Sequence, residues 1–211
     1  MTRYPSVAEV ARRLKRPATA VSLPRLILMT DHRRLPDPLP LLRRLPRGSA
    51  VIVRHGDTAR RRGLVAALRQ PCRVMRLCLL VAADDRLAAT ADGLHLPEAM
   101  VRRGWRRRRR SMLVTAAAHS LAAVRRAAAR GVDAVLIAPV FATASHPGAP
   151  TLGPLRFARM VRASPLPVYA LGGIDALAAR RLLRSGAAGF AAIGALTAAA
   201  QPAGRSGAAS A

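Results

Sequence analysis

The sequence predicts a single (β/α)8 TIM barrel of the α/β class with a short N-terminal extension, and three observations predict it. Eight short apolar runs of β-forming type recur along the chain, with helical stretches that carry their own start and stop signals between them. Strand ends at 30, 54, 81, 96, 116, 138, 171 and 193 are spaced by about 23 residues, which is one βα unit per strand at the compact end for this architecture. The first strand leads into MTDHRRLPDP, which has no glycine; a doubly wound open sheet needs a Gly-rich turn there. Strands alternating with helices form a parallel sheet through right-handed crossovers.

Residues 1–22 are polar and basic and read as the N-terminal extension, with one helix over Val7–Leu14. The barrel is assigned to 23–197. Its strands are Arg25–Thr30, Ala50–Arg54, Val74–Val81, Gly93–Leu96, Met112–Ala116, Ala134–Ala138, Leu166–Leu171 and Gly189–Ile193. Only Ala82–Asp92 separates strands three and four, room for a helix of about two turns. Ser120 is an N-cap for LAAVRRAAAR, whose Leu121, Val124 and Ala128 share one face, and Gly131 ends that helix. Pro154 stands in a first-turn position ahead of LRFARMVRA. Asp175 caps ALAARRLLRS, and Gly186 ends it. Residues 198–211, AAAQPAGRSGAASA, read as a flexible tail.

Composition narrows the function classes. Hydrophobic residues make up 51% of the 211, enough for a core, while aromatics at 3% leave that core to Ala, Leu and Val. No apolar run approaches the roughly 18 residues of a spanning helix, and the start, MTRYPSVAEVARRLKRP, has no apolar signal region. A cytoplasmic protein without membrane partners is expected. Cys72 and Cys78 match neither a CxxC nor a zinc pattern. The net charge is +26, and every basic residue except Lys15 is arginine. A nucleic-acid binder usually mixes in lysine and stacking aromatics. Here arginine is spread along the whole chain beside alanine, so nucleic acid is the least supported partner. Self-association stays open.

A barrel of this kind keeps its site at the carboxyl ends of its strands. Those ends carry Asp31 and His32, Arg54 and His55, Asp84 and Asp85, Glu98, His119, and the loop with Thr143, Ser145 and His146. All five histidines, with His95 on strand four, fall at or just after strand ends. They are either unrelated packing and capping residues or parts of a pocket that shuttles protons near neutral pH. Asp84 and Asp85 read as a helix cap or as a metal pair. Gly172, Gly173 and Gly194 follow the last two strands, where backbone N–H groups can approach a phosphate, and Ala195 begins a short helix. Valine at Gly173 or Gly194 is then expected to abolish phosphate binding and spare the fold. The alternative makes Gly172-Gly173 a tight turn only.

ADGLHLPE (91–98), TAAAHS (115–120), GVDAVLIAPVFATASHPGAPTLGPLRF (131–157), PVYALGGID (167–175) and AAGFAAIGAL (187–196) resemble the thiamine phosphate synthase and TenI family. The resemblance runs over roughly 25–196 and is most specific from Gly131 to Ile174. It implies a thiazole phosphate held by Gly172, Gly173, Gly194 and Ala195. It implies catalytic roles for His119, Arg54 and His146, with His119 as proton shuttle, and substrate contacts from Thr143, Ser145 and His55. The phosphate end is expected across the barrel from strand five, with the ring reaching inward to His119.

The chain also departs from the family's pattern. The Q-x-R-E-K run reads Ile52-Val53-Arg54-His55-Gly56, keeping Arg54 and losing Gln and Lys. The metal-binding Asp after the strand-four His-Leu falls near Met100, leaving Asp84 and Glu98 as candidate magnesium ligands. The Thr-x-Thr-Lys run reads Thr143 to His146. Condensing the thiazole phosphate with hydroxymethylpyrimidine diphosphate needs Mg2+ and cations on the departing pyrophosphate. A TenI-like tautomerisation of the thiazole phosphate needs an anchored substrate and a shuttle, with no cofactor. Both remain as readings. Beside them stand a divergent, non-catalytic phosphate-ligand-binding barrel and, last, an arginine-rich nucleic-acid binder.

Overall fold

Alternation along eight short strands sorts the apolar residues into two cores. A strand presents successive side chains to opposite faces, so one parity fills the lumen and the other meets the helices. The computed structural model describes residues 6–15, 22–107, 109, 111–143 and 148–193. The strands are β1 (Leu26–Met29), β2 (Ala50–Val53), β3 (Cys78–Ala82), β4 (Gly93–Leu96), β5 (Leu113–Ala118), β6 (Ala134–Ile137), β7 (Val168–Ala170) and β8 (Gly189–Ala192). Each pairs in parallel with its neighbour in sequence, and β8 pairs with β1, closing the barrel. Ile27, Met29, Ile52, Leu80, Leu136 and Tyr169 pack inside. Leu28, Val51, Val53, Leu79, Val135 and Phe190 pack outward, against buried helix residues such as Leu68 and Phe157. The Tyr169 hydroxyl donates to the Pro24 carbonyl at 2.6 Å, which satisfies the one phenol in the lumen core.

The helices are α1 (Val7–Arg12), α2 (Leu39–Leu42), α3 (Thr58–Val74), α4 (Glu98–Arg102), α5 (Leu121–Ala129), α6 (Gly153–Ala163) and α7 (Ala176–Arg181). Helix α1 starts at a capping box, in which Ser6 Oγ accepts from the Glu9 amide at 3.3 Å and Glu9 Oε2 accepts from the Ser6 amide at 2.5 Å. It packs on α7 and β8, burying Val7, Val10 and Ala11. The Arg25 guanidinium donates to the Arg12 carbonyl. Ser120 and Asp175 cap α5 and α7 through the Ala123 and Ala178 amides. Residues 198–211, expected to form a flexible tail, lie outside the described residues.

Three expectations change. Helix α3 runs through Pro71 to Val74, so strand three begins at Cys78 rather than at Val74. Pro71 sits in the last turns, where its missing N–H removes one intrahelical hydrogen bond, and its carbonyl accepts from Met75 at 3.0 Å. The third unit holds a single 3-10 turn, Leu87–Thr90, not two helical turns. The buried face of α5 is Ala123, Val124 and Ala127, with Leu121 at its edge, because small residues sit closest to the sheet.

Candidate functional site at the carboxyl-end rim

The inward parity of each strand continues into the rim. On β2 the series Ala50, Ile52 leads to Arg54, and on β5 Leu113, Thr115 leads through Ala117 to His119. The Arg54 amide donates to Thr30 Oγ1 at 3.0 Å, tying the end of β2 to that of β1. The Arg54 side chain is exposed and has no carboxylate partner among the described residues. Next to it the His55 and His32 rings lie 5.4 Å apart, centroid to centroid. His55 Nδ1 is buried without a partner among the described residues. Asp31 is engaged on its own strand end. Partial burial opposes its charge, but hydrogen bonds from the Arg34 side chain and the Arg34 and Arg33 amides outweigh that and hold its pKa at about 2.

His119 is anchored by its ring. Nδ1 lies 2.8 Å from the Ala138 carbonyl oxygen. A carbonyl only accepts, so Nδ1 carries a proton, and in the neutral ring Nε2 is left with the lone pair. The His119 amide donates to Glu98 Oε2 at 3.2 Å, and Glu98 Oε1 faces Arg126 at 3.9 Å. The next residue, Pro139, meets the glycine turn after β7: a Cβ on Gly172 would lie 2.9 Å from Pro139 Cα. His119 and Gly172 therefore flank the single dipeptide Ala138-Pro139. Strand β5 is two strands from β7 with β6 between them, so the imidazole and the glycine turn are close along the rim and not across the barrel as expected.

Gly172 and Gly173 take left-handed backbone, φ 90° and 63°. A Cβ on Gly173 would lie 2.3 Å from the Ala142 carbonyl oxygen and 2.7 Å from Phe141 Cβ. The turn is drawn onto the β6 loop by Val140 N–H to Leu171 O (2.9 Å) and Phe141 N–H to Gly172 O (3.1 Å). Valine at Gly173 would therefore disturb the fold itself, which corrects the expectation that it spares it. Among the described residues the Gly172 and Gly173 amides have no acceptor. The turn requires glycine for packing, and among the described residues it leaves two N–H donors unengaged. Thr143 is described; Ser145, His146, Gly194 and Ala195 lie outside the described residues.

The candidate magnesium ligands are occupied by the protein. Asp84 Oδ1 accepts from the Leu87 amide at 2.9 Å, capping the 3-10 turn, and Oδ2 faces Arg61 at 3.8 Å. Glu98 is held by His119 and Arg126. Among the described residues no three His, Cys, Asp or Glu side chains gather as a metal-binding group. As placed, Asp84 and Glu98 do not fit a shared divalent cation. Trp105 Nε1 donates to Asp85 at 3.3 Å, and Arg107 pairs with Asp133.

Beneath the rim lies His95 on β4, one of the five histidines that the sequence leaves open between packing and a proton-shuttling pocket. It is buried in the lumen, with Nδ1 2.9 Å from Thr115 Oγ1. Burial, and then the Arg54 charge, push its pKa down to about 4, so it is neutral at pH 7. The signal was available: His95 and Thr115 are polar residues at inward parity, and the parallel register sets them side by side.

None of the described helices is long and apolar enough to cross a membrane. Residues 30–196 match the family described as thiamine monophosphate synthase. A thiamine-phosphate synthase of Pyrococcus furiosus is 29% identical over 82% of this chain and 86% of its own length. One of Thiobacillus denitrificans is 34% identical over 68% of this chain and 70% of its own. A putative thiamine-phosphate synthase 2 of Aquifex aeolicus is 36% identical over 52% of this chain. The chain spans 60% of that relative and about half of several others. The solved thiamine phosphate pyrophosphorylase of Pyrococcus furiosus superposes with a TM-score of 0.64 at 24% identity, covering 80% of this chain and 85% of that one, a likeness of fold. With most of the barrel inside the family match, the chain belongs to the thiamine monophosphate synthase family.

Proposed function

We propose that this protein is an enzyme of thiamine biosynthesis that binds a thiazole phosphate at the carboxyl-end rim and moves a proton on it with His119. One observation carries the reading: Ala138-Pro139 seats the His119 ring on one side and the Gly172-Gly173 turn on the other. A phosphate oxygen taken by the free glycine amides would hold the ring within a few ångströms of a fixed base. The Ala138 carbonyl holds the Nδ1–H tautomer, so Nε2 accepts the proton, and the resulting imidazolium returns it at another position of the ring. Arg54 supplies positive charge to an anionic substituent. Neutral His95 forms part of the floor without adding a second cation.

Condensation with a pyrimidine diphosphate is the second reading, favoured by the relatives named as synthases and by the unpaired Arg54. That chemistry places magnesium on a leaving pyrophosphate. Since Asp84 and Glu98 do not fit the ion as they stand, no step is drawn through it.

The test incubates the purified chain with the thiazole phosphate carboxylate in deuterated water, alone and then with hydroxymethylpyrimidine diphosphate and Mg2+. The proposal expects tautomerisation with deuterium incorporation in the first tube. Thiamine phosphate formed in the second without enzyme-dependent exchange in the first would establish condensation instead.

A further inference from the structure

A cleft of about 720 Å³ opens at the end of the barrel opposite the rim. Pro24, Gly48, Leu77 and Asp92 on its wall lead into β1, β2, β3 and β4, so it lies among the strands' amino termini. Arg69, Arg73 and Arg76 line it. All three are exposed, and none has a hydrogen-bond or ion-pair partner for its guanidinium among the described residues. The one carboxylate among the lining residues, Asp92, accepts from the Leu79 amide on Oδ2 at 2.8 Å.

The backbone singles out Arg76. Helices α3 and α5 end in the same motif. In α3 the Leu77 amide donates to the Cys72 carbonyl (2.8 Å) and the Arg76 amide to Arg73 (3.1 Å). In α5 the Val132 amide donates to Ala127 (3.2 Å) and the Gly131 amide to Ala128 (3.0 Å). This motif needs one left-handed residue, ordinarily glycine because a Cβ is penalised there. In α5 it is Gly131, at φ 72°; in α3 it is Arg76, at φ 55°. A cation in the last turn offsets the helix's negative end, which accounts for Arg73. Arg76 lies past that turn, at a position glycine would fill without strain, and its side chain lines the cleft.

We propose that this cleft binds the oligophosphate group of a small molecule, held by Arg69, Arg73 and Arg76. Guanidinium forks bind phosphate oxygens in pairs, and three unpaired cations on one wall match several adjoining negative charges. The volume falls within the roughly 300–1,000 Å³ of small-molecule sites. The site is separate from the rim and does not rest on the thiazole reading.

The experiment is calorimetric titration of the full chain with inorganic tripolyphosphate at 150 mM salt. Two triple variants remove the same charge: Arg69→Gln/Arg73→Gln/Arg76→Gln in the cleft, and Arg156→Gln/Arg159→Gln/Arg162→Gln on exposed positions of α6. The cleft variant is expected to weaken binding by at least about 10-fold, and the α6 variant by less than about 2-fold. Arg76→Gly guards against a folding artefact. It relieves the left-handed strain, so it should not lower the melting temperature, yet should weaken binding by about 3-fold or more. Absence of binding to the wild type, equal loss in both triple variants, or full retention in the cleft variant overturns the proposal. So does a cleft-dependent interaction seen only with a short DNA duplex, which would make the surface one for nucleic acid.

Discussion

Replacing Gly173 by alanine tests whether the turn after β7 is a packing requirement as well as a source of donors. The new Cβ would lie 2.3 Å from the Ala142 carbonyl oxygen, 2.7 Å from Phe141 Cβ and 2.9 Å from the Phe141 carbonyl carbon. Two of those three atoms are backbone, so the β6 loop must move rather than a side chain rotate. Overpacking of this kind costs about 1–3 kcal/mol. The left-handed backbone, φ 63°, adds about 1–2 kcal/mol for a residue with a Cβ. The sum, about 2–5 kcal/mol, is a large part of the roughly 5–15 kcal/mol that holds a domain folded. With a urea dependence of about 2 kcal/mol per molar, the midpoint should fall by roughly 1–2.5 M. Gly56→Ala is the control, because a Cβ there meets nothing within 4 Å; it should leave the midpoint unchanged or raise it slightly. A Gly173→Ala midpoint equal to the wild type's would refute the packing argument and leave that glycine for the ligand alone.

His95 makes stability depend on pH in a defined window. Its folded pKa, about 4, lies below the ordinary imidazole value of 6.5, so the unfolded chain takes up the proton first. The stabilisation is full above pH 6.5 and declines toward pH 4, a loss of about 3 kcal/mol; urea midpoints for wild type and His95→Asn should converge over that range. Asp31, held at about 2, adds a loss confined to more acid solution, below about pH 4. Magnesium titrated into the free protein should show no micromolar site, since Asp84 and Glu98 already serve the Leu87 and His119 amides; a calorimetric isotherm with micromolar affinity would return both to the role of ligands.

The barrel was legible because its signals are local. Runs such as AVIV and AVLI at regular spacing declare buried parallel strands, and Ser120 and Asp175 declare helix starts through hydrogen bonds to residues three positions on. The strand-end rule also placed Arg54 and His119 at the rim. What stayed hidden depends on contacts between segments distant in sequence. Val74–Val81 reads as strand throughout, although α3 runs to Val74 and β3 starts at Cys78. The Gly172-Gly173 pair reads as a phosphate cradle because the approach of Pro139, Phe141 and Ala142 leaves no local trace. Asp84 and Glu98 look like free carboxylates until Arg61 and Arg126 arrive from other helices. His95 needed only register: its partner Thr115 lies on the next strand.

The most direct test of the central claim is His119→Asn. Asparagine can still donate to the Ala138 carbonyl and keeps the amide that Glu98 accepts, but it has no basic nitrogen. The thermal midpoint and the dissociation constant for the thiazole phosphate carboxylate should stay close to wild type. Deuterium exchange and turnover should fall by roughly 10²-fold or more, in kcat rather than KM. Wild-type turnover in the Asn variant would contradict the account and reduce His119 to a structural anchor at the end of β6.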